Sequence, residues 1–225
     1  MTDAARRLAL IHTVAGLVPR FQELAVELMP DVETFDIVDE TLLRDATTEG
    51  RVSLDTARRL FAHLAAAERH GADAILVTCS SVGNVVDAAR PFAGIPLLRV
   101  DQAMAEQAVE RGTRIGVLAT LGSTLGPTAA LIRRTADEAG REVEVRDRLC
   151  EGAFEALKAG HTERHDGSIR EGLRGLIGWA DMIVLAQASM ARVIDSLTDD
   201  ERRTPILSSP RLGMERMRDL LVNGR

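Results

Sequence analysis

The stretch 72–87, ADAILVTCSSVGNVVD, returns 108 residues later as 180–195, ADMIVLAQASMARVID, with six of its sixteen positions identical. Two further segments repeat at nearly the same offset: 8–13 (LALIHT) answers 115–120 (IGVLAT), and 96–98 (PLL) answers 205–207 (PIL). A period this long excludes a solenoid, whose repeats run to roughly 20–50 residues. It calls instead for two halves of similar fold, each about 100 residues, an ordinary size for one domain. The centres of the two copies differ, because Cys79 in the first stands where Gln187 stands in the second.

Composition removes several classes of function. The chain of 225 residues carries a net charge of −6, which argues against nucleic acid as a partner, since neutralising phosphates takes a basic face. Its one lysine, Lys158, lies in EALKAG on what reads as an exposed helix. Pyridoxal phosphate and Schiff-base enzymes need a lysine held in the site, so those mechanisms are not expected. No GxxxxGK[ST] phosphate loop occurs. Two irregularly spaced cysteines suit a reducing cytoplasm better than a disulfide framework. Arg6-Arg7 before LALIHTVAGLV imitates a secretory signal, but its counterpart at 115–120 lies mid-chain, so it reads as a first strand. No segment has the roughly 18–20 apolar residues that cross a bilayer, and a cytoplasmic protein is expected.

Short apolar runs alternate with longer amphipathic ones. Strands are expected at 8–12, 34–38, 74–77, 96–98, 114–118, 142–145, 182–185 and 206–207. Helical periodicity lies between them, as in 54–69, with Ser53 as its N-cap. Strands apolar on both faces and separated by helices point to parallel sheets in an α/β fold. The expected architecture is two pseudo-symmetric, doubly wound, Rossmann-like domains. Residues 1–100 form the first, completed by a C-terminal helix within 208–225, and residues 101–207 form the second.

In such sheets ligands bind beyond the carboxyl ends of the strands, so the residues that follow each strand are the ones to read for chemistry. Cys79 ends a strand before a helix expected over 81–89, where the helix dipole and free amides would lower its pKa and favour thiolate. The ordinary alternative is a small buried hydrophobe. Residues 120–124, TLGST, join a strand to a helix expected over 127–139 and offer hydroxyls and amides to a carboxylate or phosphate. The plain alternative there is a capped strand–helix turn. His12 ends the first strand and titrates near neutrality, whereas Cys150 reads as a structural thiol. His161 and His165 have the i, i+4 spacing of zinc ligands, yet flanking glycines suggest a loop, no third ligand is evident and no metal is expected.

The ordered motifs VTCSS (77–81), VLATLGST (117–124), EGAFEAL (151–157), VLAQASMA (184–191) and PILSSPRLG (205–213) resemble the aspartate/glutamate (hydantoin) racemase superfamily over essentially the whole chain. That superfamily also holds maleate isomerase and arylmalonate decarboxylase. The resemblance implies a pair of α/β domains with the site in the cleft between them, no cofactor, and two cysteines flanking the α-carbon of the substrate. Cys79 matches the first thiol, and the second position carries Gln187, whose amide neither gives nor takes a proton near neutral pH. Thr13, Ser80, Ser81, Thr120, Ser123, Thr124 and Ser189 fall at positions resembling the carboxylate cradle, and His12 is the candidate to replace the missing thiol.

The resulting expectation is a cofactor-independent, racemase-like enzyme. It would use Cys79 for proton transfer α to the carboxylate of a small acid, and would assemble as a homo-oligomer. Two alternatives remain open: a single-cysteine decarboxylase or maleate-isomerase-like covalent catalyst, and a non-catalytic carboxylate-binding protein.

Overall fold

In the computed structural model, which describes residues 5–222, the chain divides into two compact units. The first comprises the residues up to Val100 together with those from Pro210, and the second is Asp101–Ser209. Each is built on a four-stranded, wholly parallel sheet. The first contains β1 (Arg7–His12), β2 (Glu33–Val38), β3 (Ala74–Val77) and β4 (Leu97–Arg99), in the order β2-β1-β3-β4. The second contains β5 (Arg114–Ala119), β6 (Glu144–Leu149), β7 (Met182–Leu185) and β8 (Ile206–Ser208), in the order β6-β5-β7-β8. The α/β class with parallel sheets and flanking helices is as the sequence leads one to expect.

The repeat is visible bond by bond. Leu8 pairs with Ala74 in the first sheet and Ile115 with Met182 in the second, the same register at the repeat offset. The invariant aspartate of the duplicated segment has one task in both copies. Asp73 accepts from the Arg7 amide at 2.7 Å, and Asp181 accepts from the Arg114 amide at 3.0 Å. Each carboxylate thereby ties the start of one central strand to its neighbour. Arg114 also pairs with Asp181 through its guanidinium, and these bonds hold the Asp181 carboxyl well below the usual carboxylate range.

Helices α1 (Val18–Leu28), α2 (Glu40–Thr48), α3 (Leu54–Arg69) and α4 (Gly83–Ala89) belong to the first unit. Ser53 caps α3 by accepting from the Thr56 amide, as expected, and Asp39 caps α2 through the Thr41 amide. The core of this unit joins Leu8, Leu10, Leu76, Phe21 and Leu24 to Met214, Met217 and Leu221 of α9 (Ser209–Leu221). Each such side chain contributes about 1.5–3 kcal/mol on burial, so α9 is an integral part of the first unit's core. Helices α5 (Gln102–Arg111), α6 (Gly122–Glu138), α7 (Ala153–Lys158) and α8 (Thr162–Arg174) serve the second unit. Its core includes Leu118, Ile169, Leu173, Ile183, Leu185 and Val193. Lys158 is exposed, as its setting in the sequence suggests.

Several local expectations need correction. The strand expected at 142–145 runs Glu144–Leu149, because it is an edge strand whose exposed residues Arg146, Asp147 and Arg148 hide it from an apolar-run criterion. The helix expected from Pro127 begins at Gly122, with Pro127 inside it. The loop expected around His161–His165 is helical from Thr162, with His161 in the N-cap position. Residues 80–82 form a 3₁₀ turn before α4, and Ala188–Ser196 are 3₁₀ as well. Among the described residues no helix is long and apolar enough to cross a membrane.

Candidate active site

The chemistry-bearing residues collect at the carboxyl ends of the central strands within each unit. In the first, Thr13 follows β1, and Cys79-Ser80-Ser81 follow β3. All four are buried, Cys79 to 8% exposure. Cys79 is the extended residue that opens the 80–82 turn. The Thr13 side chain, the amides of Ser81 and Val82 and the Ser81 side chain flank its sulfur and favour its charged form. Burial pushes the thiol's pKa up, and those donors only partly pull it back down. The expectation of a lowered pKa is thus reversed in the protein alone, because desolvation outweighs the amides. Burial thus favours the protonated thiol in the resting protein.

The second unit repeats the arrangement with a different centre. Gln187 is the extended residue ahead of the 188–196 segment, as Cys79 is ahead of its turn. Its Oε1 accepts from the Thr120 amide at 2.5 Å and from the Thr120 hydroxyl at 2.9 Å. Thr120 is the repeat counterpart of Thr13, so the Thr13–Cys79 contact has a Thr120–Gln187 equivalent. An amide N–H can only donate, so the carboxamide oxygen must face Thr120 and the –NH₂ edge must face the other way. Gln187 is therefore fixed as a donor. Thr124 is buried, while Ser123 and Ser189 are half-buried, with Ser123 and Thr124 in the first turn of α6.

His12 is fully buried, and both ring nitrogens are engaged by the protein. Nε2 lies 2.9 Å from Asp36 Oδ1 and Nδ1 lies 3.0 Å from Thr78 Oγ1, while the ring packs edge-on against Phe21. In this arrangement His12 offers no free nitrogen to a substrate, which counts against the acid–base role expected of it. It braces β1 against Asp36 on one side and against Thr78, next to Cys79, on the other. Burial lowers its pKa from the ordinary 6.5, and Asp36 offsets this only in part.

That shift sets a pH dependence of stability. The unfolded chain takes up this proton near pH 6.5, whereas the folded chain holds it off to lower pH. Below about pH 6.5 the unfolded state therefore binds more protons, and stability falls as pH drops toward the folded pKa. Thermal midpoints measured from pH 7.5 to 5 are expected to decline, and the decline is expected to flatten in His12→Gln. An equal slope in both proteins would assign the effect to other groups.

Cys150 follows β6 and is buried against Leu118 and Ile169. A Cβ on Gly172 would come within 2.8 Å of its sulfur, so α8 closes over it. Burial pushes this thiol up to about 11, the setting of a structural cysteine. Among the described residues no group of three or more metal-ligating side chains comes together, and His165 instead bonds to Asp166 at 2.7 Å.

Sequence reasoning missed Arg99. At the end of β4 its side chain is fully buried and pairs with Asp87 of α4 at 2.8 Å. An arginine at the end of a short strand reads as a surface charge, and only its setting in three dimensions shows otherwise.

Comparisons agree with this fold. Among solved structures, glutamate racemase isoform RacE1 from Bacillus anthracis superposes with a TM-score of 0.77 at 16% identity, covering 99% of this chain and 84% of that one. Aspartate racemase from Picrophilus torridus gives 0.71 at 12% identity, covering 96% and 94%. Allantoin racemase from Klebsiella pneumoniae gives 0.67 at 17%, covering 97% and 89%. At such identities the likeness shows a shared fold. No curated protein sequence matches the chain. The family model for Asp/Glu/hydantoin racemases matches residues 11–217, nearly the whole length, and the chain belongs to that family.

Proposed function

We propose that this protein is a racemase-like enzyme that moves a proton at the carbon α to the carboxylate of a small acid, with Cys79 as the transferring group and no cofactor. The observation that supports this reading is the setting of Cys79. It is a thiol at the carboxyl end of a central parallel strand, backed by Thr13 and by the amides of Ser81 and Val82. The same donors that hold the sulfur stabilise it when it carries charge. Ser80, Ser81, Thr120, Ser123, Thr124 and Ser189 supply neutral hydroxyls for the carboxylate.

Gln187 shapes the outcome. With its oxygen tied to Thr120 it can donate a hydrogen bond to a developing oxyanion, but it cannot deliver a proton. Cys79, once deprotonated, would take the α-proton as base, leave an enediolate and return the proton to the same face. Exchange without inversion is the result. A specific observation favours a second reading: Cys79 is buried, which favours its protonated form. In a decarboxylation the carbon–carboxylate bond breaks, its electron pair remains on the α-carbon, and carbon dioxide departs. The carbanion then takes the thiol proton. A protonated Cys79 is ready for that step without prior activation.

The test is proton NMR in heavy water with a panel of amino, hydroxy and dicarboxylic acids. Incorporation of α-deuterium into at least one acid, or deuterated product with loss of carbon dioxide, is expected. Saturable binding of an acid with neither outcome would instead indicate a carboxylate-binding protein. Size-exclusion chromatography with light scattering tests the expected homo-oligomer.

A further inference from the structure

Among the differences between the two halves, two bear on the turn that follows Cys79. The Arg99 guanidinium lies flat against Gly83, the first residue of α4: a Cβ built on Gly83 would meet Arg99 Cζ at 2.2 Å, Nη2 at 2.3 Å and Nε at 2.6 Å. The Gly83 amide in turn donates to Ser80 O and closes the 80–82 turn. That turn is what presents the Ser81 and Val82 amides to the Cys79 sulfur. Asp87, one turn further along α4, pairs with Arg99 at 2.8 Å and with Arg90 at 3.0 Å. In the repeat, the residue answering Gly83 is Ala191 and the residue answering Arg99 is Ser208. The half that carries glutamine has a Cβ where the thiol half has bare backbone, and a small side chain where the thiol half has a buried cation.

We propose that Arg99 is a positioning residue for Cys79: packed on Gly83 and paired with Asp87, it clamps the turn whose amides face the sulfur. The inference rests on the reading of Cys79 as the reacting group. Burying a guanidinium is costly unless it is paired, and a merely structural contact at this place would be served as well by apolar packing. The thiol half keeps the charge, and with it a flat rigid surface that admits only glycine at position 83.

Three variants test this: Gly83→Ala, the double variant Gly83→Ala with Arg99→Ser, and Arg99→Lys. The double variant installs the residue types of the other half, and Arg99→Lys keeps the charge but loses the flat face. Iodoacetamide labelling of Cys79 is followed across pH, with Cys150 labelling and the thermal midpoint reporting on the fold. All three variants are expected to move the Cys79 titration up by about one pH unit, an about tenfold slower labelling below the midpoint. The double variant is expected to regain the thermal stability lost in Gly83→Ala without regaining the titration. Recovery of both together, or an unchanged titration in Arg99→Lys, would reduce Arg99 to a packing element and overturn the proposal. Absence of deuterium exchange in the unmodified protein would undo the functional reading, yet leave these titrations comparable.

Discussion

Cys79→Ser is expected to remove α-deuterium exchange, or decarboxylation, by on the order of 10³-fold while the fold persists. A serine hydroxyl can sit against Thr13 and the amides of Ser81 and Val82 in the same place, so the buried pocket loses little. Its proton is far less acidic than that of a thiol, and so is far harder to give or take. His12 is not placed to activate the hydroxyl, since it spends both ring nitrogens on Asp36 and Thr78. The comparison needs only the NMR assay and a thermal melt of both proteins. Retained exchange in Cys79→Ser would move the chemistry to another residue and leave Cys79 as a packed thiol.

Gln187→Cys should produce the opposite kind of change, a gain. It places a second thiol beside Thr120, the counterpart of the Thr13–Cys79 pairing, and so supplies the proton donor that the carboxamide cannot be. The ratio of stereoinversion to exchange, read by chiral chromatography against NMR, is expected to rise by about tenfold or more, the scale of a restored acid–base group. Gln187→Ala is the control. It leaves the Thr120 amide without its acceptor, at a cost of about 1–3 kcal/mol in stability, and brings no inversion. Efficient two-way racemisation by the unmodified protein would show that a different residue already serves as the second acid. The structure then gives little reason to begin with His12.

Most of the architecture was legible because the duplication acts as an internal alignment. Two copies of one pattern distinguish a strand from a chance apolar run, and they mark the strand ends where Thr13, Cys79, Thr120 and Gln187 lie. The edge strand β6 was misjudged because solvent covers it and its side chains are charged. The start of α6 was misjudged because Pro127 reads as a first helical residue, although proline six positions in still leaves the earlier turn intact. The direction of the Cys79 pKa was not readable at all, since a linear pattern shows the helix that follows but not the burial that outweighs it. The one signal that could have pointed to Arg99 is joint variation across the repeat: Gly83 with Arg99 in one half, Ala191 with Ser208 in the other.

The wrapping of α9 into the first unit sets an order of assembly on the ribosome. The second unit is made wholly of residues 101–209 and can close as soon as they emerge. The first needs Met214, Met217 and Leu221 to cover Leu8, Leu10 and Phe21. During synthesis, then, the earlier-made half waits with an open apolar face while the later-made half folds, inverting the usual N-terminal-first sequence. Cys79 sits in the half that matures last, so its surroundings are complete only once α9 has been made.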